Sequence, residues 1–312
     1  MKKCMLLVIL FAMACNTQPA QVRYKIIYNV AYDTESDNYE IFSMDPDGQN
    51  KKNISNAKGV DWAYSAFEDK LYFVSDRDTT HRMYFLYEMD AFGANIKKIS
   101  NIRLKDSWLD SRHNGSELIV NPHKTVDSVF YLINRDGDIL QKIDSGLAFQ
   151  SDPCFIENGS RIIFRGAHKK SKREKGFTDE IYVMNLDGSG LEQLTFYPKS
   201  DTTAEWYAYK AGPPRWHPEA KMITYQSKQN GRYSLFATTL DGRKQWRLTD
   251  NLQQEGWHHP SSDGKSVAIE FFDTKQSQFH IGVWDRKTGT TTILTDSTYK
   301  YQQAPLFVEV KN

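Results

Sequence analysis

The sequence predicts an all-β chain: a six-bladed β-propeller of four-stranded antiparallel blades, closed by the C-terminal strand joining blade 1. Three observations carry this reading. Six segments share one pattern, namely a strand, a turn closed by Gly (mostly Asp-Gly), a second strand, and a polar step ending in Ile-Ser or Leu-Thr, or in Ile-Asp for 130–144. They span 41–55, 86–100, 130–144, 181–195, 235–249 and 281–295, and a Gly closes five of the turns at Gly48, Gly93, Gly137, Gly188 and Gly242. The sixth, looser turn ends at Gly289. Successive turn glycines stand 45, 44, 51, 54 and 47 residues apart, the period of a four-stranded propeller blade. No segment past the N-terminus carries a capped helical stripe.

Each repeat is preceded by an apolar run that reads as the second strand of its blade: 25–28, 70–74, 117–120, 161–164, 221–225 and 266–270. Such runs, bounded by Gly, Asp and Asn, suit strands. Upstream of these lie further elements ending in Asx/Gly turns, including 153–159, 214–220 and 258–264. They are expected to be innermost strands, each followed by a tight hairpin. Blade 1 lacks one at its N-terminal side. The tail supplies it, because 303–308 (Gln-Ala-Pro-Leu-Phe-Val) resembles 151–156 (Ser-Asp-Pro-Cys-Phe-Ile). Residues 303–310 would then close the ring and remove two exposed sheet edges.

Composition sets bounds. There are 40 Lys+Arg against 39 Asp+Glu, a net charge of +1, which gives no support to nucleic acid as a partner. The 17 Tyr, 17 Phe and 7 Trp suit packed sheets. With three cysteines, one of them in the leader, no disulfide framework is expected, and Cys154 reads as a small buried apolar residue.

Lys2 and Lys3 precede an apolar stretch, 5–13, too short to span a bilayer. The string 11–15 (Phe-Ala-Met-Ala-Cys) resembles a bacterial lipoprotein signal. That resemblance implies a signal peptide at 1–14, lipidation of Cys15, a tether at 15–21 and a single propeller domain at 22–312. An ordinary secretory signal is the alternative. The expectation is an exported monomer anchored in a membrane through Cys15, at the periplasmic or outer-membrane face.

The repeats resemble the TolB-type propeller family (PD40 repeats, WD40-like). The family's Pro-x-Trp-Ser-Pro-Asp-Gly is followed loosely by 214–220 (Pro-Arg-Trp-His-Pro-Glu-Ala), and its Ser-x-Arg-Asp by 75–78 (Ser-Asp-Arg-Asp). Its Ile-Tyr-x-Met-Asp-x-Asp-Gly is followed closely by 181–188 (Ile-Tyr-Val-Met-Asn-Leu-Asp-Gly), with Leu194-Thr195 after it. The resemblance implies an exported six-bladed propeller that binds protein or peptide at its axis. TolB also carries an N-terminal α/β domain, for which this chain has no room.

Candidate site residues follow from the fold. Inner strands begin at one face, so the axial rim there is expected to hold Trp62, Trp108, Asp152, Arg215, Trp216, Glu255, Trp257 and His258. Trp206 joins them from a long aromatic loop at 196–212. Aromatic faces would stack on peptide side chains or sugar rings, and charges would fix polar groups; the same residues would equally pack between blades or solvate a channel. The partner is thus expected to be an envelope protein, peptide or glycan, bound without catalysis or cofactor. The basic loop 168–175 reads as a solvated hairpin or an anion grip.

Enzyme readings compete less well. No Gly-x-Ser-x-Gly elbow is present, and the Asp-rich turns at 45–48 and 136–138 are explained by turn geometry rather than calcium. The alternative is a metal-dependent polysaccharide lyase of the oligogalacturonate type. Its divalent metal, such as Mn or Ca, would rest on His217, His258, His259 and Gln302 or Gln303, with His258, His259 and Arg215 catalytic. Strand alternation opposes it, since His258 and His259 should point to opposite faces.

Overall fold

The computed structural model describes residues 23–170, 179–198, 201 and 205–310. The expected signal peptide, Cys15, the tether and most of the basic loop lie outside the described residues. Six four-stranded antiparallel sheets make the described fold, with one 3-10 turn at Glu157–Gly159. The propeller and its blade count are therefore those expected.

The innermost strands are Gln302–Val310 for blade 1, Asp61–Phe67 for blade 2, Asp110–Arg112 for blade 3, Phe149–Ile156 for blade 4, Arg215–His217 for blade 5 and Gln254–Pro260 for blade 6. Blade 1 is completed from the C-terminus. Gln302–Val310 pairs with Arg23–Asp33, in a register that sets Leu306 opposite Ile27 and Phe307 opposite Ile26. All four side chains are buried. Each second strand forms where the apolar runs place it, and each outer strand is short, from two to five residues.

Two devices hold neighbouring strands and blades, and both explain the repeat. In blade 1 the Ser55 hydroxyl accepts the Ile41 N–H at 2.9 Å and donates to the Glu40 carboxylate at 2.5 Å. Thr195 does the same in blade 4, between Ile181 and Glu180. The closing Ser or Thr of a repeat thus satisfies a buried amide that the short outer strand leaves unpaired. The second device is the turn glycine. Gly93 has φ +86°, and a Cβ there would overlap the Ile54 carbonyl oxygen of the preceding blade. Gly48 sits likewise on Leu294, so the contact passes from blade 6 to blade 1 and closes the ring.

Between the blades lie large apolar side chains. Ile27, Leu71, Phe73, Leu118 and Leu306 belong to one cluster that runs through blades 1 to 3. The innermost strands depart from regular pairing. Bulges fall between Ala63 and Ser65, between Ser151 and Cys154, and between Glu255 and His258, with a further irregularity where Ile27–Asn29 faces blade 1's inner strand. A bulge twists a strand and re-aims its side chains. Here it turns large residues toward the axis.

Candidate functional site

Five blades supply the axial side chains. Trp62 (blade 2), Trp108 (entering blade 3) and Trp257 (blade 6) meet edge to face: Trp62 to Trp257 at 6.0 Å and Trp108 to Trp257 at 6.2 Å between ring centroids. Tyr64 packs on Trp108 at 5.2 Å. Arg215 of blade 5 lays its guanidinium 3.7 Å from the Trp108 centroid. Asp152 of blade 4 accepts the Trp108 N–H at 3.0 Å. These side chains form a partition across the channel, with a cavity on each side of it.

The cavity at the face where inner strands begin has a volume of about 340 Å³. Asp106, Trp108, Asp152, Arg165, Trp206 and Trp257 are among its walls. Its charges are spent on one another. Arg165 pairs with Asp152 at 2.6 Å and with Asp179 at 3.2 Å. Burial raises the Asp152 pKa, but Arg165 and Lys105 beside it more than offset this and hold the carboxyl below its ordinary value. Lys210 lies over the Trp206 ring at 5.0 Å, and Tyr64 donates to Asp106.

A larger cavity, about 460 Å³, opens at the opposite mouth, where inner strands end. Arg215, Trp216, His217, His259, Arg286 and Tyr24 are among its walls. Two of its polar atoms are not spent. Among the described residues, Arg215 Nη2 and His217 Nδ1 are buried without a hydrogen-bond partner. The other Arg215 polar contact is Nε donating to the His258 carbonyl at 3.3 Å. An arginine keeps its charge even here, where burial depresses its pKa.

Several expected rim residues are buried rather than exposed. Trp108, Asp152, Arg215, Glu255 and His258 are buried. Glu255 does not face the axis at all. It accepts from Thr249, Asn251 and the Leu235 N–H, the same closing-hydroxyl role as Glu40 and Glu180. Trp62 packs between Tyr39 and Trp257, while Trp206 and Trp216 line the two different cavities. Cys154 is buried, and burial pushes its thiol well above the ordinary range, which fits an inert packing residue.

The residues weighed for a metal are dispersed. His217 Nε2 and His258 Nε2 flank the Thr224 hydroxyl at 2.8 and 2.7 Å. His259 points the other way, its Nδ1 accepting the Phe307 N–H at 3.2 Å. The Gln302 amide nitrogen donates to the carbonyls of Phe279, Asp296 and Tyr299. No group of three His, Cys, Asp or Glu side chains among the described residues has metal-holding geometry. Burial holds His217 and His259 neutral, each with a pKa of about 3.

Sequence reasoning missed Tyr64, Asp110 and Arg286. Tyr64 had a signal, since strand alternation puts it on the face of Trp62. Arg286 had none, because it reaches the mouth from the turn after the third strand of blade 6.

Fold and site together define a six-bladed β-propeller with a divided axial channel. Among solved structures it is similar to TolB from Acinetobacter baumannii, with a TM-score of 0.70 and 13% identity over 92% of this chain and 67% of that one. A putative TolB from Agrobacterium tumefaciens gives a TM-score of 0.59 and 14% identity over 88% and 90% of the two chains. A chain of the nidogen/laminin complex gives 0.61 and 10% identity over 91% and 98%. At such identities the likeness is one of fold. No protein-family profile matches the chain, and no curated protein does.

Proposed function

We propose that this chain is a non-catalytic binding propeller, exported and lipid-anchored at Cys15, that takes a protein, peptide or glycan segment of the cell envelope into its axial channel. The observation that carries the reading is the contrast between the two mouths. Ion pairs hold the charges of the strand-start cavity, with only Asp179 Oδ1 of that set lacking a hydrogen bond, whereas the strand-end cavity keeps two buried nitrogens, Arg215 Nη2 and His217 Nδ1, without partners and Arg215 without an ion pair. Buried polar groups without partners are costly, and a bound ligand is one way to satisfy them. Likeness of fold to TolB and to the nidogen/laminin propeller supports a protein partner for this chain. The scattered donors around Thr224 support binding over a lyase mechanism.

The test is affinity capture from native membranes with the full chain, in chelator, beside assay on polygalacturonate with added Mn. The proposal expects one stoichiometric partner retained in chelator, lost on Trp216→Ala, and no lyase product. Product formation that chelator abolishes would contradict it.

A further inference from the structure

We infer that the strand-end cavity is a carboxylate receptor, holding an acidic group of a bound peptide between Arg215 and His217; this rests on the binding reading above. The two residues stand two apart on the inner strand of blade 5, so their side chains leave the strand on the same side. Both line the same cavity. Both are at least nine-tenths buried, at 7% and 3% exposure. Each keeps one nitrogen, Arg215 Nη2 and His217 Nδ1, with no partner among the described residues. A carboxylate has two oxygens, and a planar guanidinium with a neighbouring N–H is matched to them.

The charge balance points the same way. Among the described residues no carboxylate forms an ion pair with Arg215; Asp110 and Asp152 act on it only from beyond ion-pair distance, and one face of its guanidinium is covered by Trp108. Asp110, which also lines the cavity, is turned to the backbone and accepts the Phe155 N–H at 2.8 Å. A buried cation with an unsatisfied nitrogen and no ion-pair partner is stabilised by an anion brought to it from outside.

The Thr224 hydroxyl supplies the second half of the argument. It has one proton to give and stands between two imidazole nitrogens. If it donates to His217 Nε2, then His258 Nε2–H donates to it, and His217 must carry its proton on Nδ1. That proton then sits on the buried nitrogen away from Thr224, on a side chain that lines the cavity. A carboxylate accepting it selects this one arrangement of the relay.

The test uses the full chain and three short peptides in microcalorimetry: acetyl-Ala-Phe with a free carboxyl terminus, acetyl-Ala-Phe amide, and acetyl-Phe-Glu amide. The expected result is that at least one carboxylate-bearing peptide binds tenfold or more tightly than the uncharged amide. Which one does so tells a terminal from a side-chain carboxylate. Arg215→Lys and His217→Gln should each erase most of that preference. The comparison on the unaltered chain stands even if a variant fails to fold. Equal affinity for all three peptides overturns the carboxylate assignment and leaves axial binding intact. Absence of binding by any peptide at millimolar concentration overturns it too, and galacturonate binding alone overturns the peptide source. The membrane capture above depends on none of these probes, so the two ideas fail separately.

Discussion

The guanidinium of Arg215 is stacked on the indole of Trp108 at 3.7 Å, so a residue of blade 5 is clamped to one entering blade 3 across the axis. This contact builds the partition between the two cavities. A desolvated cation–π pair of this kind is worth about 2 kcal/mol. A double-mutant cycle with Arg215→Lys and Trp108→Leu, read by urea denaturation, should give a coupling of about 1–2 kcal/mol, since Lys lacks the planar stack. Additive single-variant effects would show that the two side chains act independently.

Glu270 gives a pH signature. It is fully buried in blade 6, and its carboxylate accepts the Ala304 N–H of blade 1 at 3.0 Å. Burial pushes its pKa up from 4.5 to about 8. Between those values the folded chain keeps a proton that the unfolded chain has released. Stability therefore falls as pH rises through this window, by at most about 1.4 kcal/mol per pH unit for one proton. Glu270→Gln keeps an acceptor for Ala304 and removes the titration. Its stability relative to the parent, measured at pH 5, 6.5 and 8, should increase steadily with pH. A constant difference would mean that Glu270 is charged in the folded chain.

Turn glycines should differ by their neighbours. Gly93 and Gly289 both have positive φ, +86° and +73°. A Cβ at Gly93 would run into Ile54, whereas none of the surroundings lies within 4 Å at Gly289. Gly289→Ala should cost about 1 kcal/mol, the backbone term alone. Gly93→Ala adds a blade–blade clash and should cost about 2 kcal/mol more. Thermal denaturation of both variants checks the ordering.

Closure by the tail carries much of the ring's cooperativity. Leu306→Ala empties a buried site facing Ile27 and should cost about 2–5 kcal/mol. A chain ended after Tyr301 loses the inner strand of blade 1 and exposes the edge of Arg23–Asp33. It should show no single cooperative unfolding step by circular dichroism. A sharp transition like that of the full chain would contradict closure.

The fold was legible in the sequence because each blade repeats a local pattern: apolar runs, a turn glycine and, in all but blade 3, a closing hydroxyl. Even the tail was legible, through the likeness of residues 303–308 to 151–156. The opposition of His258 and His259 followed from strand alternation, and the contacts of Thr224 and Phe307 show it. Glu255 was not legible: its partners Thr249 and Asn251 are six and four residues upstream, but residue type alone does not show that its carboxylate turns back to them. Nor was the difference between the mouths. Asp152 and Arg215 look alike as charged residues beside a Trp or Pro, yet one forms an ion pair with Arg165 and the other forms none among the described residues. That distinction depends on pairing between strands and blades, which residue type and spacing do not record.

The central claim is that ligands enter the axial mouth where the inner strands end. The most direct measurement is site-specific photocrosslinking in cells, with benzoylphenylalanine placed at Tyr24 or Glu219 on that mouth, or at Lys97 or Ile293 on outer strands. The account predicts one discrete adduct from both mouth positions and none from the outer strands. Adducts confined to Lys97 and Ile293 would contradict it.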